Sequence, residues 1–473
     1  MRRILFLFLF FFPLTAFPQA LDSFIADTSL THASFSLYVA DAGSGEAVLD
    51  VNSVKSLTPA SVLKLVTTAV GLEMLGPRHT FTTSFGYTGT LSKSGLLKGD
   101  IIIRGGGDPA FASSHFAGIY SDFPVRWVDK MKITGIKKVT GKIITDDSYF
   151  DYLPVPSRWT WEDLGNYYGA GVYGASIFDN SYDIHFNTSS TGTKPEITRI
   201  VPEECIYDLK NNLVAEGSTD RGYVFAAPYG NSGWISGAIP VMQNDFVLGA
   251  SIPDPPLLFA RIMDEKIREA GIKVKGKPST FRIEKKEPVY EYTKISEYVS
   301  PELSEIVEVL NHESINLYAE DLVKELGKKI TGSGSAENGL EIINSFLDSI
   351  GIQGMFIVDG SGLSPANSIN ARGLASLLIH MKKKGKYFDD YLNSLPDAGK
   401  EGTLKNYFRD EVFSGRLKAK SGSMTRVRSY AGYFTTMSGR EMVFAFITND
   451  FSGASVNIVS HYEEILKEII LRK

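Results

Sequence analysis

Apolar and polar positions alternate from Ala33 to Ala40, pause at Gly43 to Gly45, and resume from Ala47 to Val51, which predicts a β-hairpin near the amino terminus. The spacing then becomes helical. Thr58 is placed to cap a helix, Pro59 suits its first turn, Ser61 to Leu75 carry an apolar face, and Gly76-Pro77 stop it. From about His79 to Pro288 the chain breaks into short strand-like runs, such as Phe81 to Tyr87 and Asp100 to Arg104, between glycine, asparagine and proline turns. Helical spacing returns at Ser300 to Leu326, Glu337 to Ile350 and Ala371 to Lys384. The last segment pairs Ser429 to Thr436 with Glu441 to Thr448 across the turn Met437 to Arg440, and Val456 to Leu471 closes as an amphipathic helix.

Strands at both ends of the chain with helices between them predict an α/β (α+β) domain, an antiparallel sheet flanked by helices, assembled from the two termini. Its pieces are residues 21–78 and 289–473, and residues 79–288 form a β-rich insertion of two nested subdomains.

Composition narrows the setting. Arg2 and Arg3 precede the apolar run Ile4 to Phe12, and small residues Ala16 and Ala20 follow, which reads as a Sec signal over residues 1–20 and an exported, periplasmic protein. Pro13 breaks the run before it reaches spanning length, so the protein is expected to be soluble or peripherally attached to the membrane. A net charge of -5 with no basic block argues against nucleic acid as a partner. Cys205 is the only cysteine, which rules out an internal disulfide and a thiolate cluster and leaves a buried bystander. The seven histidines form no His-Glu-x-x-His, so neither a catalytic metal nor a cofactor is expected.

The candidate chemistry is nucleophilic. Ser61-Val62-Leu63-Lys64 puts an amine one helical turn after a hydroxyl, on the same face. A lysine can take a serine proton if burial or a nearby cation lowers its pKa. Alone the pair is weak, since an ordinary helix start with a snorkelling lysine looks the same. Ser314-Ile315-Asn316 offers a hydroxyl and an amide that reach one groove only near a helix end or on a loop, and it has look-alikes at Ser368-Ile369-Asn370 and Ser455-Val456-Asn457. Lys420-Ser421-Gly422-Ser423, expected just before the strand at Ser429, can hold a carboxylate while its field favours a neutral Lys64. Lys93-Ser94-Gly95 matches the same pattern and reads as a turn.

The ordered set Ser-x-x-Lys, Ser-x-Asn, Lys-Ser/Thr-Gly resembles that of penicillin-binding proteins and serine β-lactamases. The long stretch between Ser61 and Ser314 is similar to the class C low-molecular-mass penicillin-binding proteins, the DacB-like D-alanyl-D-alanine carboxypeptidases and endopeptidases. Gly107-Asp108-Pro109, Trp159 to Leu164, Asp359 to Ser364 and Gly402-Thr403-Leu404 carry the resemblance along nearly the whole chain, with Ser421 standing where threonine is commoner. The resemblance implies Ser61 as nucleophile, Lys64 as base, Ser314 as proton relay, Asn316 as holder of Lys64 and substrate, and Lys420, Ser421 and Gly422 at the substrate carboxylate. Backbone N–H groups of Ser61 and Ser423 would form the oxyanion hole. Peptidoglycan stem peptides would be the substrate and β-lactam antibiotics covalent inhibitors. Asp163, beside Trp159 and Trp161, could take the amine end of a diaminopimelate side chain, although a small aromatic core with solvated acids explains that segment equally well. Asp359 and Ser361 are explained by a capped glycine turn. The alternatives are a β-lactamase-like hydrolase and a non-catalytic peptidoglycan-binding homologue; intact Ser61, Lys64, Ser314, Asn316 and Lys420 argue against the second.

Overall fold

The computed structural model describes residues 19–205, 207–288 and 292–472. The expected leader falls outside the described residues as far as residue 18, and the first described element is the helix Gln19–Ala26, whose Leu21 and Phe24 are buried. No helix among the described residues is long and apolar enough to cross a membrane.

The two ends of the chain build one antiparallel sheet. Its strands run in the order Leu417–Met424, Val427–Thr435, Glu441–Asn449, Ser34–Asp41, Ala47–Val51, with Ser34 opposite Asn449 at the seam between the termini. The central strands are apolar on both sides because both faces are covered. Ala431, Tyr433, Val443 and Ala445 pack against the helices Lys64–Leu75, Asn316–Thr331 and Ala371–Lys384. Tyr430, Phe434, Phe444 and Phe446 pack against Ser455–Leu471.

The inserted region has its own core. A five-stranded mixed sheet containing Thr82–Tyr87, Ile101–Arg104 and Ile143–Asp146 packs on the helices Phe123–Ile133 and Pro255–Glu269. Trp127 stacks there between Phe85 and Phe259, at centroid distances of 4.9 and 5.9 Å. Two three-stranded sheets are nested in it, one being Asp208–Ala215, Ser232–Ile239 and Arg221–Ala226. The return strand lies beyond the expected boundary at residue 288: Thr293–Val299 pairs with Thr82–Tyr87, because the mixed sheet would otherwise leave that edge open. Cys205 is buried among apolar neighbours, which pushes its thiol up to about 12 and makes it inert.

Two expected elements differ. The predicted helix from Ser300 to Leu326 is two helices, Leu303–Glu313 and Asn316–Thr331, broken at Ser314 in the left-handed conformation (φ 61°). The Lys420 motif does precede the strand at Ser429, but it lies in a further strand of its own, the edge strand Leu417–Met424, which pairs with Val427–Thr435.

Candidate active site

The turn bearing Ser61 is built by contacts from distant segments. Thr58 does not cap it; its Oγ1 donates to the Pro365 carbonyl at 3.3 Å, and Pro59 precedes a 3-10 turn, Ala60–Leu63, that runs into the helix Lys64–Leu75. Ala60 has φ +49°, and the Ser429 hydroxyl donates to the Pro59 carbonyl from the sheet. Two glycines allow this close approach. A Cβ on Gly362 would sit 2.0 Å from the Ala60 oxygen, and one on Gly422 would sit 2.9 Å from the Ser61 nitrogen. The edge strand therefore lies directly against the backbone of Ser61, with Ser423 at the cleft wall.

One helical turn on, Lys64 Nζ is 2.9 Å from Ser61 Oγ. It also donates to Asn316 Oδ1 at 2.6 Å and to the Ser361 carbonyl at 2.8 Å. Asn316 Nδ2 donates to the Tyr168 carbonyl at 2.8 Å, which turns its Oδ1 toward the lysine. Lys64 is fully buried, and loss of solvent lowers its pKa to about 7 even though Asp359 and Glu320 pull the other way. Two of its three partners can only accept, so a neutral amine gives them its two protons and presents its lone pair to Ser61. That is the arrangement of a base.

The break between the helices is what exposes Ser314 to the cleft. Its Oγ accepts from Lys420 Nζ at 2.9 Å, and Lys420 also donates to the Ser421 carbonyl at 2.9 Å. Lys420 is buried and held well below its ordinary value, first by desolvation and then by Lys64. Ser421 Oγ donates to Thr403 Oγ1 at 2.7 Å. Gly402, at φ +45°, lets that segment press on the preceding helix, where a Cβ would come within 2.3 Å of the His312 carbonyl.

The five residues Ser61, Lys64, Ser314, Asn316 and Lys420 thus converge, and Ser421, Gly422 and Ser423 line up beside them on one strand. Asp163 faces the same open cleft of about 960 Å³, half-buried, its Oδ2 accepting from Thr160 Oγ1 at 2.5 Å. The look-alike motifs stay out: Asn370 caps the helix Ala371–Lys384, Ser455 opens the last helix, and Gly95 sits in a turn.

The segment Asp359 to Ser364 is more than a capped turn. Asp359 Oδ1 and Oδ2 do cap the backbone N–H groups of Gly362 and Ser364. But the Ser361 carbonyl is a ligand of Lys64, and Glu320, one turn after Asn316, accepts from the Gly360 and Ser361 N–H groups at 2.8 to 3.0 Å. Burial pushes the Glu320 carboxyl up to about 8. Trp159 is buried with Nε1 donating to Asp359 Oδ2 at 3.0 Å, whereas Trp161 is exposed. Glu320 and Tyr168 were invisible to motif reading, and Thr403 stood out only within Gly402-Thr403-Leu404, without the role its bond to Ser421 gives it. Only the repeat of Asn316 and Glu320 at a one-turn interval signals the first of them.

A family model described as the D-Ala-D-Ala carboxypeptidase 3 (S13) family matches residues 17–467. The chain is 27% identical over 455 residues to a D-alanyl-D-alanine carboxypeptidase of Actinomadura sp. (strain R39), covering 93% of this chain and 82% of that protein. The crystal structure of penicillin binding protein 4 (dacB) from Haemophilus influenzae superposes with a TM-score of 0.80 at 20% identity, covering 93% of this chain and 97% of that one. Bd3459, a predatory peptidoglycan endopeptidase from Bdellovibrio bacteriovorus, superposes with a TM-score of 0.50 at 16% identity, covering 92% and 90%.

Proposed function

The chain belongs to the D-Ala-D-Ala carboxypeptidase 3 (S13) family, serine D-alanyl-D-alanine carboxypeptidases, and from that premise we propose that it is a periplasmic enzyme that trims or uncross-links peptidoglycan stem peptides through a penicillin-sensitive acyl-enzyme on Ser61. The observation that carries this is the Lys64 amine, buried, stripped of solvent and 2.9 Å from Ser61 Oγ.

Ser61 Oγ attacks the carbonyl carbon between the terminal D-alanines and passes its proton to Lys64 Nζ. The oxyanion is received by the backbone N–H groups of Ser61 and Ser423, the strand of Ser423 lying close to Ser61 because Gly422 has no side chain. The C–N bond breaks as Ser314 delivers its proton to the departing amine and takes one back from the protonated Lys64, leaving an ester on Ser61 and Lys64 neutral again. Lys420, Ser421 and Thr403 form the end of the cleft that takes the terminal carboxylate, whose charge favours a protonated Lys420 once bound. Water then attacks the ester, Lys64 again taking the proton and returning it to Ser61 Oγ as the ester C–O bond breaks. If the departing amine belongs to a second stem peptide, the same steps cut a cross-link. Asp163, acidic and lining the same cleft, suits the free amine of a diaminopimelate side chain.

The test is mass mapping after incubation with penicillin. The adduct is expected on the peptide bearing Ser61, and an adduct on any other serine would overturn the assignment. Digestion of cross-linked and uncross-linked muropeptides then reads the scissile bond directly.

A further inference from the structure

Two of the four tryptophans, Trp127 and Trp159, are buried; the other two, Trp161 and Trp234, are exposed by 48% and 41% and lie side by side, ring centroids 6.0 Å apart. Trp234 stacks on Phe225 at 5.4 Å and 11°, which fixes its plane. Trp234 and Phe225, opposite one another, belong to the outer face of the sheet Asp208–Ala215, Ser232–Ile239, Arg221–Ala226, whose inner face carries the buried Leu213, Val224 and Ile235, and Trp161 meets Trp234 from a separate loop. Tyr223, two residues before Phe225 on that outer face, is 41% exposed and also lines the cleft of Ser61. The aromatic floor is therefore continuous with the cleft. Its flank is polar: exposed Lys210 pairs in register with Trp234, and exposed Asn212 with Ser236.

The floor is rigid. Asn166 Oδ1 accepts from the Val224 N–H at 3.0 Å and its Nδ2 donates to the Glu162 carbonyl at 2.6 Å, bolting the loop of Trp161 to the sheet. Gly165 is pressed so close that a Cβ would meet the Val224 oxygen at 1.9 Å. Preorganised aromatic faces with a polar rim suit a ligand that is apolar on its flat side and hydroxylated at its edge.

We propose that this face is a docking platform for the glycan strand of the wall, a β-linked polymer of N-acetylated pyranose sugars, with sugar faces on Trp161 and Trp234 and the attached stem peptide passing Tyr223 into the cleft. The inference rests on the reading of the cleft as a wall-peptide site and adds to it a preference for peptides still joined to sugar.

The full chain is titrated by calorimetry with the β-1,4-linked tetramer of N-acetylglucosamine, and D-alanine release is compared between a free pentapeptide and the same peptide on a glycan strand. Wild-type protein binds the tetramer and prefers the glycan-linked peptide about thirtyfold in kcat/KM, the loss expected for removing a tryptophan hot spot. The doubly substituted Trp161→Ala, Trp234→Ala chain loses both, with penicillin acylation and the unfolding midpoint unchanged. No heat with the tetramer, or a preference that survives the double substitution, overturns the proposal. So does a concentration-dependent dimer in sedimentation that Trp234→Ala abolishes, because the face would then belong to a second copy. Failure of Ser61 to acylate would defeat the reading of the cleft and leave the sugar titration standing.

Discussion

The sheet beside Ser61 and the sheet carrying Trp234 are both made of strands with one inward and one outward row, yet they end in opposite surfaces. In the first, helices cover both faces, so residues such as Tyr430 and Ala431 are both buried and the edge strand delivers Lys420 into a dry site. In the second, only one face is covered, and the outer row leaves two large aromatic rings in water. Desolvation makes a lysine into a base; exposure makes an aromatic ring into a surface that can hold a polymer. The two surfaces differ because the first sheet is covered on both faces and the second on one.

The sharpest way to break this contrast is at Ser61. Ser61→Ala is expected to abolish penicillin labelling, a loss on the order of 10⁶-fold as for other serine nucleophiles, with the fold unchanged by circular dichroism. Lys420→Ala should slow acylation by about 10²- to 10³-fold, read by stopped-flow with a chromogenic β-lactam, and leave the protein folded. Normal kinetics in that variant would mean that another group supplies the cation. Gly422→Ala places a methyl 2.3 Å from Ser429 Oγ and 2.9 Å from the Ser61 nitrogen. The overpacking should cost about 1–3 kcal/mol in urea unfolding and depress acylation further than that cost alone implies.

The pH dependence tests the dry half of the comparison. Lys64 is a base only when neutral, so acylation should rise with pH through about 7. The nearby negative charge of Asp359 favours the ammonium, so Asp359→Asn should move that rise to lower pH; a shift upward would contradict the sign. The smallest effect belongs to the wet half. Trp161→Ala should change unfolding free energy by no more than about 0.5 kcal/mol and leave penicillin acylation untouched.

How legible each region was follows from the same physics. The helix Ala371–Lys384 and the strand Glu441–Asn449 have solvent or turns where a periodic reading expects them, and both were readable nearly to the residue. The helix Asn316–Thr331 was not, because it lies between the catalytic core and the inserted region and is buried through most of its length. Its charged residues look like a solvated face but are paired inside: Lys324 Nζ with Asp151 Oδ1 at 2.7 Å, and Glu325 Oε1 with His79 Nε2 at 3.0 Å. Glu320 was hidden by the same effect. The break at Ser314 was missed because serine carries no strong signal for a left-handed residue, and a continuous helical spacing ran across it. The strand of Lys420 reads as polar because Lys420 and Ser421 bond to Ser314 and Thr403 in the site, while Leu417 and Ala419 enter the core.

The seam between Ser34 and Asn449 has a further consequence for how the chain comes into being. The first strand to leave a ribosome must wait for nearly the last before it has a neighbour on that side, and Lys420 and Gly422 arrive later than Ser61, Lys64 and Ser314. A growing chain holds its hydroxyl and amine but no finished pocket, so the inserted module, whose strands pair among themselves, is free to fold first. Chemical competence arrives with the carboxyl-terminal hairpin, after the bulk of the polypeptide has already been made.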